Sequence, residues 1–162
     1  MSHSSASNGR TLLREVTPSA SRRVLVVANQ AATSPALIAE LASWTQRGPV
    51  LFHLVVPTLN TRLRHWLSDI DDAVLAARQR GEHAREVMAS HGIPVSLEIG
   101  DSLPLLAIAD ALSRFRADEI LISALPAYRS HWLERDLINL SQRRFGLPVT
   151  HVTEDQESLQ AA

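Results

Sequence analysis

The fold is decided by Asp118-Glu-Ile-Leu-Ile-Ser-Ala-Leu-Pro-Ala-Tyr-Arg-Ser-His-Trp132, a stretch that contains a strand, a loop and the start of a helix. In Gly146-Leu-Pro-Val-Thr-His-Val152, Gly146 and Pro148 end the helix and Val149–Val152 form a short last strand. This order of elements is typical of parallel α/β domains. No glycine occurs between Asp118 and Phe145. A loop that cradles a phosphate normally uses glycine to bring its backbone close to the ligand, so the sequence predicts the scaffold without that cradle.

The composition predicts one domain with balanced charge. The chain has 162 residues, with 16 basic and 17 acidic side chains and no cysteine. Balanced charge provides no field to hold nucleic acid or an anionic membrane, and the lack of cysteine excludes disulfides and thiolate chemistry. No apolar run approaches the roughly 18 residues that span a bilayer, and the N-terminus has no apolar signal core. We therefore predict a cytoplasmic protein that binds neither nucleic acid nor a membrane.

The chain divides into a domain and two tails. Residues 1–21 are rich in Ser, Ala and Arg without sustained periodicity, and we expect a disordered N-terminal tail. Residues 22–152 contain all the predicted strands and helices and form the α/β domain. Residues 153–162 are acidic, and we expect a flexible C-terminal tail.

Apolar patterns predict the position of each strand in the sheet. Arg22–Ala28 and Val50–Val56 are almost wholly apolar, as in strands that are covered on both faces. Val95–Ile99 alternates between apolar and polar residues, which predicts a strand near the edge of the sheet. Ile120–Ala124 is the fourth strand.

Four helical segments connect these strands. The first begins with Ser34 as N-cap and Pro35 as first residue, and its inner face is Leu37, Ile38, Leu41 and Trp44. The second occupies Asn60–His91, with Gly92 as C-cap, and Gly81 leaves open whether it is one helix or two. The third is predicted to bury Leu105, Ile108, Leu112 and Phe115. The last is predicted between His131 and Phe145 and to bury Trp132, Leu133, Leu137 and Leu140.

The order of these elements, the opening strand Val24-Leu-Val-Val-Ala-Asn29, the pair Gly100-Asp101 and the closing Pro148-Val149 resemble the universal stress protein family over residues 22 to 152. The resemblance implies a three-layer α/β/α domain with an open, five-stranded parallel sheet of order 3-2-1-4-5, a Rossmann-like fold related to the adenine nucleotide alpha hydrolases. It also implies a homodimer that pairs through the last strands. Members of the family either bind ATP or do not.

The resemblance is weakest at the nucleotide motif. The ATP-binding members carry G-x2-G-x9-G-[S/T] after the fourth strand, and its defining positions fall here on Ser123, Pro126, Asp136 and Leu137. The family's acidic residue after the first strand falls on Asn29. Proline offers no N–H, and a Cβ keeps a phosphate at a distance. We therefore predict no cofactor, with weak binding of an adenine nucleotide as the alternative.

A ligand of such a sheet binds outside the carboxyl ends of the strands, where the strand order reverses. The candidate ligand-binding residues at these ends are Asn29, Gln30, Val56, Asp101, Ser123, Arg129 and Ser130. Arg129 and Ser130 could hold a phosphate or carboxylate at a helix N-terminus, or Ser130 could simply cap that helix. Asp101 could accept from a ribose, or could cap the third helix with Ser102.

No catalytic or metal-binding group stands out. The sequence has neither a nucleophile elbow nor a Walker loop. The histidines of the long helix lack the i, i+4 spacing of a metal pair, and His53 is expected to be a hydrogen-bonded core or interface residue. Asp69, Asp71 and Asp72 are interpreted as a solvated helical face. Neither catalytic residues nor a metal are predicted.

The last strand provides the candidate dimer edge, formed by Val149, His151 and Val152. We predict a universal stress protein-like binding module in stress response or regulation, not an enzyme, that does not bind ATP and acts through homodimerisation or an unknown protein partner. The alternative is a member that binds ATP or AMP with an altered phosphate loop.

Overall fold

A computed structural model describes residues 21–59, 68–125 and 136–153, with the side chains of residues 68–70 left aside. Its centre is an open parallel sheet of five strands in the order β3-β2-β1-β4-β5. The strands are β1 (Arg22–Val27), β2 (Val50–Pro57), β3 (Val95–Gly100), β4 (Glu119–Ala124) and β5 (Val149–Thr153). The predicted sheet and its order are confirmed, and β5 extends one residue beyond the predicted domain boundary.

The helices are α1 (Pro35–Arg47), α2 (Ser68–Ser90), α3 (Pro104–Arg114) and α4 (Leu137–Phe145). Helix α1 begins as predicted, because the Ser34 hydroxyl accepts a hydrogen bond from the Leu37 N–H at 3.2 Å. Helix α2 continues through Gly81 without a break. The predicted beginning of this segment at Asn60 lies outside the described residues, and so does the predicted beginning of the last helix at His131.

Gly81 has a packing reason that the sequence did not reveal. A Cβ built on Gly81 would lie 2.7 Å from Leu97 Cδ1 and 3.3 Å from Val56 Cγ2. The glycine therefore lets α2 approach the sheet over β2 and β3. This close approach offsets the roughly 1 kcal/mol that a glycine costs inside a helix relative to alanine.

Two apolar layers cover the two faces of the sheet. On one face α1 and α2 pack on side chains that include Val24, Val26 and Leu54. On the other face α3 and the first turn of α4 pack on side chains that include Leu25, Val27 and Val55. Successive residues of β1 thus enter opposite layers, as the pleat of a buried strand requires. The predicted three-layer α/β/α architecture is confirmed.

Three burial predictions need correction. Leu51 of β2 is 49% exposed, because the start of that strand lies near the rim of the sheet. Leu140 of α4 is 39% exposed, whereas Leu137 is buried as predicted. In α3 the fully buried residues are Ala107, Ile108 and Ala111, whereas the larger predicted residues Leu105, Leu112 and Phe115 are partly buried beside them. Small residues face the sheet there because α3 lies close to β3.

The long helix α2 is amphipathic and charged on its outer face. Within the three described stretches, no helix is both long enough and apolar enough to cross a membrane.

Candidate functional site

A cleft of about 360 Å³ opens at the carboxyl ends of β1 and β4. It lies between the segment that follows β1, one side of α2 and the residue that follows β4. Its lining residues are Asn29, Gln30, Ala32, Thr33, Arg80, His83 and Leu125. The order β3-β2-β1-β4-β5 reverses direction between β1 and β4, so the cleft is at the switch point where parallel α/β sheets bind ligands.

Asn29 joins the walls of this cleft. Its side chain is 3% exposed, its amide nitrogen donates to the Pro57 carbonyl, and its amide oxygen accepts from Arg80 Nη1 at 3.0 Å. Pro57 ends β2, and Arg80 belongs to α2. The buried amide therefore ties together the ends of β1 and β2 and the middle of α2, with a partner for each of its two polar atoms.

The turn after β1 is built from small residues. The Ala32 N–H donates to the Asn29 carbonyl, and the Ser34 N–H donates to the Ala31 carbonyl, each at 3.1 Å. Ser123 of β4 is 1% exposed, and its hydroxyl lies 3.5 Å from the same Ala31 carbonyl. Ser123 thus contacts the turn after β1, and it is not among the described lining residues of the cleft.

Arg80 and His83 are the functional candidates that the sequence reasoning missed. They are three residues apart on α2 and therefore lie on one side of it. No described carboxylate lies within 4.0 Å of the Arg80 guanidinium, whereas Arg22, Arg85 and Arg114 each form an ion pair. Arg80 thus brings a positive charge to the cleft with a neutral amide as its hydrogen-bond partner.

A signal for these two residues was present in the sequence. Ala77, Ala84 and Met88 are fully buried and lie, with Gly81, along the side of α2 that faces the sheet. Small residues at this spacing mark a face in close contact with a neighbour, and the residues beside that face border the cleft. The register of α2 over the ends of β1 and β2 is tertiary information, so the spacing alone could not place Arg80 beside Asn29.

Of the other predicted candidates, Gln30 lines the cleft and is exposed. Val56 is fully buried in the layer under α2, and it is not among the lining residues. Arg129 and Ser130 lie outside the described residues.

Asp101 follows β3 and does not line the cleft. Its carboxylate accepts from the Leu103 N–H at 2.9 Å. The N-cap of α3 is Leu103, without a side-chain cap, and Pro104 is the first helical residue. The predicted capping by Asp101 and Ser102 is therefore wrong in detail: Asp101 stabilises the turn before the helix.

A second polar cluster lies between β2, β3 and the end of α3. His53 Nδ1 lies 2.7 Å from Ser96 Oγ, and His53 Nε2 lies 3.0 Å from Glu98 Oε2. The other carboxylate oxygen of Glu98 accepts from Arg114, and the imidazole stacks on Phe115 with 5.0 Å between the ring centres. The expectation of a hydrogen-bonded His53 is confirmed. We call these five residues the β3 network.

Charge in the β3 network is internally compensated. Burial raises the pKa of Glu98, but hydrogen bonds with Arg114 and His53 outweigh burial and hold the pKa below its ordinary value. The same contact raises the pKa of Arg114. Within the described part of the chain, no group of three or more His, Asp or Glu side chains is arranged to hold a metal ion.

The predicted dimer edge is at the end of the sheet. In the described sheet β5 pairs with β4 alone. Val149 and Val152 are half-buried, and His151 is exposed, with Nε2 at 2.9 Å from Thr153 Oγ1.

No protein-family model matches this chain, and no curated protein matches it by sequence. Solved structures do resemble it. A protein from the universal stress protein family of Burkholderia pseudomallei is 19% identical, with a TM-score of 0.54 over 80% of this chain and 93% of the other. The universal stress protein from Archaeoglobus fulgidus in complex with dAMP is 16% identical, with a TM-score of 0.55 over 82% of this chain and 97% of the other.

A third similar structure is a universal stress protein family protein from Arabidopsis thaliana with AMP bound. It is 14% identical, with a TM-score of 0.51 over 85% of this chain and 94% of the other. These similarities agree with the parallel α/β fold described above. The chain has the α/β fold of the universal stress proteins, and the resemblance drawn from the sequence is confirmed at the level of the fold.

Proposed function

We propose that this protein is a universal stress protein-like binding module, not an enzyme, that does not bind ATP tightly and acts as a homodimer or through a protein partner. The observation that carries the proposal is the arrangement around Asn29. The resemblance implies an acidic residue at this position in ATP binders, and here the side chain is a neutral amide bonded to the Pro57 carbonyl and to Arg80.

A nucleotide hydroxyl would have to share or displace these bonds. Displacement leaves buried polar atoms to be satisfied again, and an unsatisfied one costs about 1–3 kcal/mol. The sequence between Ser123 and Leu137 contains no glycine to bring backbone N–H groups close to a triphosphate. The hydrogen bonds of Asn29 and the lack of glycine after β4 each disfavour ATP binding. The lack of glycine does so independently of Asn29.

Homodimerisation through β5 is part of the same proposal. Among the described strands β5 pairs with β4 alone, and an edge strand offers backbone groups that can pair with a second copy. His151→Glu would place like charges on the two copies at the exposed position of that strand, and sedimentation of the variant is expected to show monomer where the parent shows dimer. A monomeric parent would contradict this part of the proposal. Location in the cytoplasm also belongs to the proposal, and cell fractionation tests it.

The test of the central claim is calorimetric titration with ATP and with AMP, in the presence and absence of Mg²⁺. The proposal expects no ATP binding at micromolar concentration. Micromolar affinity, equivalent to about 8 kcal/mol, would contradict it.

A second function, adenine-nucleotide binding without the usual loop, is favoured by one observation. The cleft combines a volume of about 360 Å³ with the cation of Arg80, and similar structures are described with AMP, dAMP and cAMP bound. In the same titration, AMP binding at micromolar concentration would favour this function.

A further inference from the structure

The described cation of the cleft lies on α2, whereas the sequence placed the candidate anion-binding residues after β4. In the residues that the structure describes, the positive charge comes from Arg80 of α2, whereas the segment after β4 contributes Leu125. An anionic group would therefore be attracted toward α2. The position of the Arg80 guanidinium therefore indicates where the negative charge of a ligand would lie.

Arg80 is oriented and still has donors to offer. One N–H bonds to Asn29 Oδ1 at 3.0 Å. A guanidinium has five N–H donors in a planar fork, which matches a carboxylate or a phosphate in a two-bond contact. Because Asn29 is itself 3% exposed and doubly bonded, the anchor is rigid. Less conformational freedom is then lost when Arg80 binds an anion.

The electrostatic environment favours an anion as the missing partner. Arg80 is half-buried, and no carboxylate in residues 21–59, 71–125 or 136–153 lies within 4.0 Å of it. A partly desolvated cation with a neutral partner is stabilised by an oxyanion more than a solvated cation would be.

The other described lining residues and the volume of the cleft favour a small ligand. The imidazole of His83, the hydroxyl of Thr33 and the amide of Gln30 add hydrogen-bonding groups to the lining. The volume of about 360 Å³ is at the lower end of the range for small-molecule sites. Arg80 is the one Lys or Arg among the described lining residues, and one guanidinium matches one anionic group.

We propose that this cleft binds a small organic molecule with one phosphate or carboxylate group, and that Arg80, assisted by His83, takes this group from the α2 side. The inference rests on the proposed function only in treating the switch-point cleft as a ligand site. It is independent of the claim that ATP binds weakly.

The test uses the full chain and NMR titration of ¹⁵N-labelled protein with AMP, adenosine, inorganic phosphate and propionate. The variant is Arg80→Gln. The matched control is Arg78→Gln, which removes an exposed arginine of the same helix that does not line the cleft. Thermal unfolding of each variant establishes that it is folded before titration.

We expect at least one of the three anions to bind more tightly than adenosine and to shift the amides of Gln30, Thr33 and His83. Arg80→Gln should weaken that binding at least tenfold, which corresponds to about 1.4 kcal/mol, and Arg78→Gln should change it less than twofold. Comparing AMP with phosphate shows whether the organic part contributes to binding, and comparing phosphate with propionate shows which oxyanion is preferred.

Asn29→Asp provides a second, independent variant. It gives Arg80 a carboxylate partner without removing the guanidinium, and we expect it to lower anion affinity at least tenfold. The proposal is overturned by an Arg80→Gln protein that is folded and binds the anions as the parent does, or by the absence of shifts with all three anions at millimolar concentration. Tight ATP binding that Arg80→Gln abolishes would contradict the proposed function; it would support Arg80 as the anion-binding residue and overturn the limit to one anionic group.

Discussion

Arg114 and Arg80 have different hydrogen-bond partners. Arg114 binds Glu98 in the β3 network, where the carboxylate also contacts His53 and every charge has an opposite partner. Arg80 at the cleft bonds to the neutral Asn29, and no described carboxylate is near it. In the β3 network the charges of Arg114 and Glu98 neutralise each other and link α3 to the sheet. In the cleft the positive charge of Arg80 faces no described carboxylate. The difference between them separates polar groups that hold the fold from polar groups that can meet a ligand.

The largest expected effect comes from breaking the packing that supports the closed network. A Cβ on Gly100 would lie 2.7 Å from the Ala107 Cβ and 3.0 Å from Val55 Cγ1. Gly100→Val should therefore push α3 away from β3, separate Arg114 from Glu98 and lower the free energy of unfolding by about 3 kcal/mol. Urea denaturation measures the loss.

Gly81→Ala is the matched control for this glycine substitution. Its Cβ would meet the mobile end of the Leu97 side chain, and alanine recovers about 1 kcal/mol of helix propensity. We expect a change within about 1 kcal/mol. Equal losses for the two variants would show that close packing of α3 on β3 is not what distinguishes Gly100.

The second-largest loss of stability is expected for a substitution of Asn29 at the cleft. Asn29→Leu removes both hydrogen bonds of a buried amide and leaves the Pro57 carbonyl without that donor. We expect the free energy of unfolding to fall by about 2 kcal/mol. Thermal and urea unfolding of the variant check this, and an unchanged stability would mean that Asn29 does not tie the strand ends to α2.

Acid should weaken the β3 network. The folded-state pKa of Glu98 lies below its unfolded value because the hydrogen bonds with Arg114 and His53 outweigh the effect of burial. The contribution of Glu98 to stability is therefore present above the unfolded pKa and is lost as the pH falls through the folded-state pKa. Urea unfolding over a pH series should show the parent approaching the Glu98→Gln variant at low pH. A stability difference that stays constant through the acid range would contradict this assignment.

The smallest effect on stability is expected for Arg80→Gln. The side chain is half-buried, and its one hydrogen bond to a described residue is with a neutral amide, so the free energy of unfolding should fall by at most about 1 kcal/mol. Thermal unfolding checks this. A loss of stability as large as that of Asn29→Leu would show that Arg80 stabilises the fold. Arg80 and Arg114 would then have the same role.

The sequence predicted the elements better than the contacts between them. The continuous apolar run of β1 indicated a central strand, the alternation in Val95–Ile99 indicated an edge strand, and Ser34-Pro35 indicated the start of α1. These signals are local, because they depend on periodicity and capping within one segment. The exposure of Leu140 and the alanine-lined face of α3 depend on how closely two segments approach, which no single segment records.

The candidate site shows the same division. Asn29 and Gln30 could be predicted, because they directly follow a strand whose position in the sheet is readable from its apolar residues. Arg80 and His83 follow no strand; α2 brings them to the cleft. The roles of Arg129 and Ser130 stay predictions.

By itself the sequence determined the order of strands and helices, the central place of β1 and the lack of glycine after β4, because these depend on residue types and their spacing. Only the tertiary structure decided which charges are neutralised. Glu98 meets Arg114 across β3 and α3, and Arg80 meets Asn29 across α2 and β1. These pairs form because α3 packs closely on the sheet at Gly100 and α2 does so at Gly81. The distance between two segments depends on how they pack, which the sequence of one segment does not record.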